Sequence, residues 1–280
     1  MSNIAPSPTR SWLFTPATRP DRFAKAASVG ADVVILDLED SVAASDKDRA
    51  RQAALDSLAS RNPDGIRHAL RVNGLDTQAG LRDFTALLET EASPDYVVLP
   101  KTETAGHLQI LDRLLTAAKR PSKLVGIIES ARGLAAVETI ATATPRLAGL
   151  MFGAADTAAD LGAATAWEPL AFVRARLVSA CALGGVLAID APYFDIRNPT
   201  ALEQEIAHAT AFGFNAKAAI HPSQVQAINT ALTPTQEAVA AARAILAENA
   251  KGVGTVAGQM IDEAVARKAR RTLTAAGLTA

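Results

Sequence analysis

The chain has 280 residues, 49% of them hydrophobic, with 28 Lys plus Arg against 29 Asp plus Glu and a single cysteine. That length admits one large α/β domain or two small ones, and a formal net charge of -1 gives no field for collecting nucleic acid or an anionic membrane. Cys181 alone excludes an internal disulfide and, in an apolar helical stretch, reads as a buried inert thiol.

Residues 1–10 carry Pro and Ser without an apolar run, so they read as a loose tail rather than a signal peptide. No apolar run approaches the roughly 20 residues of a membrane span, and the expected location is the cytoplasm. From Ser11 onward, short aliphatic stretches recur: Ser11 to Pro16, Val33 to Glu39, His68 to Asn73 and Tyr96 to Pro100. They continue as Leu124 to Glu129, Leu147 to Gly153, Gly185 to Pro192 and Ala216 to Pro222. Each is short, apolar and bounded by Gly, Pro, Asn or Asp, which is the pattern of a strand buried on both faces. Between them lie helically spaced segments such as Asp48 to Ala59, Leu81 to Glu89, Leu108 to Ala118 and Glu168 to Leu183.

Eight strands alternating with helices predict an α/β fold, a (β/α)8 TIM barrel over 11–232. An open doubly wound sheet is the alternative, but no Gly-rich phosphate fingerprint follows the first strand. A helical extension, 233–280, follows the eighth strand and ends in a basic stretch.

A barrel keeps its chemistry at the strand C-terminal ends, which here are loaded with polar groups. They include Asp37, Glu39 and Asp40, then Arg71 and Asn73, then Lys101 and Glu103, and finally Glu129, Asp156, Asp190 and His221. Glu129 closes one buried strand and Asp156 stands three residues past another. Two hard oxygen ligands on adjacent strand ends suit Mg2+, which takes only one or two carboxylates from protein. The plainer reading of either acid is a pairing with Arg or a helix cap.

The ordered set RSWLFTPATRPDRFAKA, DLEDSV, RVN, VLPKTE, IIESARG, MFGAAD and AKAAIHPSQV resembles the citrate lyase β-subunit-like (CitE-like) group of the HpcH/HpaI aldolase superfamily. The tail GQMIDEAVARKARR resembles the motif shared by its malyl-CoA and citramalyl-CoA lyases. The resemblance implies a Mg2+-dependent TIM barrel that makes or breaks a carbon–carbon bond beside a CoA thioester, in a homotrimer or dimer of trimers. It implies Glu129 and Asp156 as metal ligands and Arg71 as the substrate-binding arginine. Asp262 matches a catalytic aspartate donated from a neighbouring subunit's lid. The family often has proline two positions after that aspartate, where this chain has Ala264.

The chemistry is consistent with those roles. Cleaving a 3-hydroxyacyl-CoA to a 2-oxo acid or ketone and an acetyl-CoA-type product leaves negative charge on oxygen. A metal can polarise the carbonyl, and the arginine fork suits a carboxylate or enolate oxygen. Arg71 can instead be an internal partner of Asp37 or Glu39. Those two acids, facing one side of an extended segment, can also hydrogen-bond metal-bound water. Asp262 can simply cap the helix Glu263 to Leu273, and Lys101 can be a Schiff-base nucleophile or pair with Glu103 or Glu129. Arg19 and Lys25 are candidates for CoA phosphates, and the four histidines lack zinc-ligand spacing. Gly252, Gly254 and Gly258 suggest a hinge before Asp262. Two further functions remain open: a metal-dependent 2-keto-3-deoxy acid aldolase without CoA, and a subunit that assembles a multi-component lyase.

Overall fold

In a computed structural model, the eight apolar runs become eight parallel strands, each hydrogen-bonded to the next and the eighth to the first, closing a barrel. The structure describes residues 9–60, 66–91, 93–250, 254–256 and 259–279. Residues 1–8 of the expected tail, and two of the expected hinge glycines, Gly252 and Gly258, lie outside them. The strands are β1 (Ser11–Pro16), β2 (Val33–Asp37), β3 (Arg67–Arg71), β4 (Tyr96–Leu99), β5 (Lys123–Ile128), β6 (Leu147–Phe152), β7 (Leu187–Asp190) and β8 (Ala216–Ala219). Around them run α1 (Phe23–Ser28), α2 (Lys47–Ala59), α3 (Gln78–Glu89), α4 (Ala105–Ala117), α5 (Ala131–Ala135) and α6 (Val137–Ala141). The layer continues with α7 (Ala154–Leu161), α8 (Trp167–Gly184), α9 (Pro199–Phe212) and α10 (Val225–Leu232).

Strand parity explains why the runs read as continuously apolar. Alternate residues such as Val33, Ile35, Val125, Ile127 and Met151 fill the lumen. Their neighbours, among them Val34, Leu36, Leu124, Ile128 and Leu150, pack against the helices. Both faces are therefore buried, as a parallel sheet covered by helices requires. The helices begin earlier than their apolar spacing indicates, because polar caps start them. Thr77 accepts from the Gly80 N–H and Thr104 from the His107 N–H, satisfying donors that a first turn leaves open.

Beyond the barrel, α11 (Gln236–Asn249) is followed by a two-stranded hairpin, β9 (Gly254–Val256) and β10 (Gln259–Ile261), and then α12 (Glu263–Ala275). Helices α11 and α12 bury Val239, Ala242, Ala269 and Leu273 against each other, a small core separate from that of the barrel. Among the described residues no helix is long and apolar enough to cross a membrane. Cys181 is buried, and burial pushes its thiol up to about 12, which leaves it unreactive.

Candidate active site

Strand parity also aims the acids. Continuing the lumen-facing positions of β2 and β5 past the last ladder residue brings Glu39 and Glu129 to the barrel mouth, both almost completely buried. At the end of β3, Arg71 is 9% exposed and held on three sides. Its Nε and Nη2 donate to the two oxygens of Asp37 at 2.6 and 2.7 Å, its register partner across the β2–β3 ladder. Its Nη1 stands 2.6 Å from Glu39 Oε2, an ion contact that is not an aligned hydrogen bond. The guanidinium also lies 4.8 Å over the Phe14 ring. Burial alone would raise the Asp37 carboxyl, but the bidentate arginine outweighs it and holds the group below its ordinary range.

Lys101, just past β4, ties the acids together. Its backbone N–H donates to Glu129 Oε1 at 2.7 Å, and its Nζ donates to Glu39 Oε1 at 2.6 Å. Burial pulls the ammonium down, yet Glu39 overcomes this and raises it above its ordinary value. A Schiff-base nucleophile needs the opposite shift, so the lysine expected as a possible nucleophile is here a held cation. It pairs with Glu39, not with either acid anticipated for its side chain, because Glu103 is engaged by the Ser130 hydroxyl and Glu129 meets only its backbone.

Among the described residues no cationic side chain forms an ion pair with Glu129. Burial, then the nearby charges of Glu39 and Asp156, push its carboxyl to about 7 against the opposing pull of the Lys101 N–H and ammonium. Asp156, half-buried, sits in the first turn of α7, where the helix N-terminus favours negative charge. The donors here are all oxygen, one of them buried without a hydrogen bond (Glu39 Oε2), and the net charge is insufficiently neutralised. Among the described residues no three His, Cys, Asp or Glu groups form a closed metal cluster. Two carboxylates fit Mg2+, which takes only one or two from protein, whereas a four-ligand protein cage does not describe this site.

Gly153, unremarked in the sequence, makes this arrangement possible. A Cβ there would stand 2.4 Å from Glu129 Cβ and 2.5 Å from its Oε2. The signal available was a glycine closing a strand, which marks close approach of neighbouring groups. Gly153→Ala is expected to cost about 1–3 kcal/mol through overpacking and to displace the Glu129 carboxylate. Thermal unfolding reads the first effect; an unchanged melting temperature would mean the β6–α7 corner yields freely.

Other expected groups lie elsewhere. Asp190 was expected at the mouth, but Ile189 takes the lumen, so Asp190 faces the helices. There Lys217 Nζ donates to it at 2.6 Å and Arg174 Nε at 3.0 Å. The Asn73 amide is used by Asp83 and the Leu38 carbonyl, and His221 caps a short turn through the Ser223 N–H. Arg19 is exposed and paired with Asp21. Asp262 is exposed at the N-terminus of α12 and accepts from the Val265 N–H at 2.9 Å, the capping geometry. No hydrogen bond or ion pair joins it to the mouth among the described residues. Gly254 opens β9 close against the Glu248 side chain instead of spanning open space.

The family model for HpcH/HpaI aldolase/citrate lyase matches residues 10–222, the whole barrel up to the end of β8. The chain belongs to this family. An L-malyl-CoA/beta-methylmalyl-CoA lyase of Rhodobacter capsulatus is 39% identical over an alignment covering 93% of this chain and 92% of the relative. Among solved structures, RipC from Yersinia pestis is 59% identical with a TM-score of 0.73, covering 82% of this chain and 97% of that one. CitE from Mycobacterium tuberculosis, in complex with magnesium, acetoacetate and coenzyme A, is 37% identical with a TM-score of 0.80, covering 97% and 99%. The family barrel thus includes every mouth residue described above, and the CitE likeness extends over nearly the whole chain, tail included.

Proposed function

We propose that this mouth is the active site of a magnesium-dependent carbon–carbon lyase that cleaves, or in reverse forms, a 3-hydroxyacyl-CoA thioester. The products of cleavage are a 2-oxo acid or ketone and an acetyl-CoA-type thioester. The observation that carries the reading is the Glu129–Asp156 pair on neighbouring strand ends, linked through Lys101 and Glu39 to a fixed Arg71. Relatives named as malyl-CoA lyases, and a CitE structure holding magnesium and coenzyme A, support it.

Glu129 and Asp156 would hold the metal, which supplies Lewis-acid polarisation of the carbonyl being formed or attacked. Arg71 keeps N–H groups beyond those given to Asp37 and Glu39 and turns them to a substrate carboxylate or enolate oxygen. Asp37, saturated by Arg71 and the Glu39 N–H, serves to aim the arginine. Glu39, with Oε1 on the Lys101 ammonium and Oε2 against Arg71 Nη1, serves to place both cations beside the metal ligands. In the condensing direction a carboxylate takes the proton from the thioester α-carbon, the resulting electron pair forms the new bond, and the oxygen gains a proton from solvent. In cleavage the hydroxyl gives up its proton to solvent, the electron pair of the breaking carbon–carbon bond passes to the thioester as an enolate, and the acid returns its proton to the α-carbon.

We assign that acid/base to Asp262, carried by residues 233–280 as a lid over the mouth of a neighbouring barrel (11–232) in a homotrimer or dimer of trimers. Its exposure, and the separate small core of α11 and α12, support a group that works away from its own mouth. Mixing Asp262→Asn with Glu129→Gln subunits, each inactive alone, is expected to regenerate part of the activity. Demonstrated subunit exchange without recovery would rule out action in trans.

The carboxyl of Glu129 also sets a pH dependence. A ligand must be ionised, and this one is half protonated near pH 7 without metal. Mg2+ binding should therefore weaken as pH falls through 7, releasing a proton at pH 6 and almost none at pH 8. Calorimetry in buffers of different ionisation enthalpy reads the proton; none released at pH 6 would remove Glu129 from the ligand set.

The function itself is tested by incubating the isolated protein and Mg2+ with a panel of 3-hydroxyacyl-CoA esters and identifying the products. Pyruvate-forming cleavage of a 2-keto-3-deoxy acid, with no thioester cleaved, would select the aldolase reading. No turnover by the chain alone would favour an assembly subunit.

A further inference from the structure

Among the described residues only Lys101 and Lys119 have a side chain on a left-handed backbone, and only Lys101 stands at the mouth, with φ at +47°. That conformation is unfavourable for any residue with a Cβ, so surrounding structure must impose it. Thr102 does so. Its N–H donates to the Ile127 carbonyl at 3.1 Å and its hydroxyl to the Leu99 carbonyl at 2.9 Å, with the residue 1% exposed. The corner is thereby pinned between β4 and β5.

The pinned corner does two things at once. It turns one N–H onto Glu129 and directs the ammonium of the same residue onto Glu39. Arg71 occupies the far oxygen of Glu39, so that acid lies between two cations. The ammonium is nevertheless reachable, its side chain 44% exposed, while the acid it holds is 7% exposed. A solvent-facing lysine ion-paired to one buried carboxylate, with its N–H on a second, offsets part of the negative charge gathered at the mouth.

Resting on the reading that Glu129 and Asp156 hold Mg2+, we propose that Lys101 is a counter-ion that sets how tightly the mouth holds its metal. The ammonium and the dication draw on one carboxylate field, and the rigid corner keeps the ammonium within it. The lysine thus opposes the metal while its own backbone N–H orients a metal ligand. A merely structural salt bridge would have the opposite signature, since its loss would loosen the pocket and weaken binding.

Titration calorimetry of MgCl2 into the full-length wild type, Lys101→Met and Lys101→Arg separates the two. Removing the positive charge of the residue whose own N–H holds Glu129 should tighten Mg2+ binding about tenfold in Lys101→Met, with Lys101→Arg within about twofold of wild type. Without Mg2+, Lys101→Met should melt below wild type, and its melting temperature should rise further than the wild type's when the metal is added. Lys101→Gln, which keeps a polar side chain at this half-exposed position, should change affinity in the same direction and serves if the methionine variant does not fold. Unchanged or weaker binding in the neutral variants, with wild type binding normally, overturns the counter-ion role alone. Failure of every protein, wild type included, to bind Mg2+ overturns the metal pocket and this role with it.

Discussion

Glu129→Gln should lose Mg2+ binding and turnover while the metal-free protein becomes no less stable. The amide keeps an acceptor for the Lys101 N–H, so the corner beside β5 retains its hydrogen bond. What disappears is the charge, half of the anionic ligand set. Removing even an outer partner of a metal ligand costs ten- to a hundredfold, so a direct ligand should cost at least about a hundredfold. Asp156→Asn is expected to behave alike.

Stability has a definite sign. Glu129 ionises near 7 in the fold against an ordinary 4.5, so the fold pays nothing below pH 4.5 and the full cost above pH 7. That cost is on the order of 3 kcal/mol, and glutamine removes it. At pH 8 the metal-free variant should melt at or above wild type, and Mg2+ should no longer raise its melting temperature. Wild-type Mg2+ affinity in both variants would eliminate these two acids as ligands.

Arg71→Lys should lower turnover at least about a hundredfold, the size of effect seen when one preorganised oxyanion donor is lost. The arginine is placed by a fork: Nε and Nη2 on Asp37, Nη1 against Glu39, and the flat face over Phe14. A lysine ammonium cannot span both oxygens of Asp37, face Glu39 and still present a planar pair of donors to substrate. Charge is conserved, so the loss should fall mainly on kcat, with magnesium affinity changed little. Near-normal kinetics would reduce Arg71 to an internal partner of its two acids.

Those two residues differ in how far the sequence announced them. Glu129 closes an uninterrupted apolar run, and the period-two rule carries it to the same side as Val125 and Ile127, so its place at the mouth follows from one strand alone. Arg71 was equally visible as a strand-end arginine, but whether it served substrate or its neighbours was not. Its engagement with both Asp37 and Glu39 depends on the β2–β3 register, which pairs Asp37 with Arg71 across the ladder.

What the sequence by itself determined was the alternation: eight buried strands, the helices between them, and the acids that close particular strands. These are local properties, set by hydrophobic period and by Gly, Pro and capping residues within a few positions. Tertiary structure decided which polar groups meet. Asp190 looked like another mouth acid until the parity of β7 turned it to Arg174 and Lys217. Lys101 was visible as a cation, but the left-handed corner that divides it between Glu129 and Glu39 depends on β5 accepting the Thr102 N–H. Gly153 mattered only once β6 lay beside β5, because an absent side chain has meaning only against the neighbour that occupies its space.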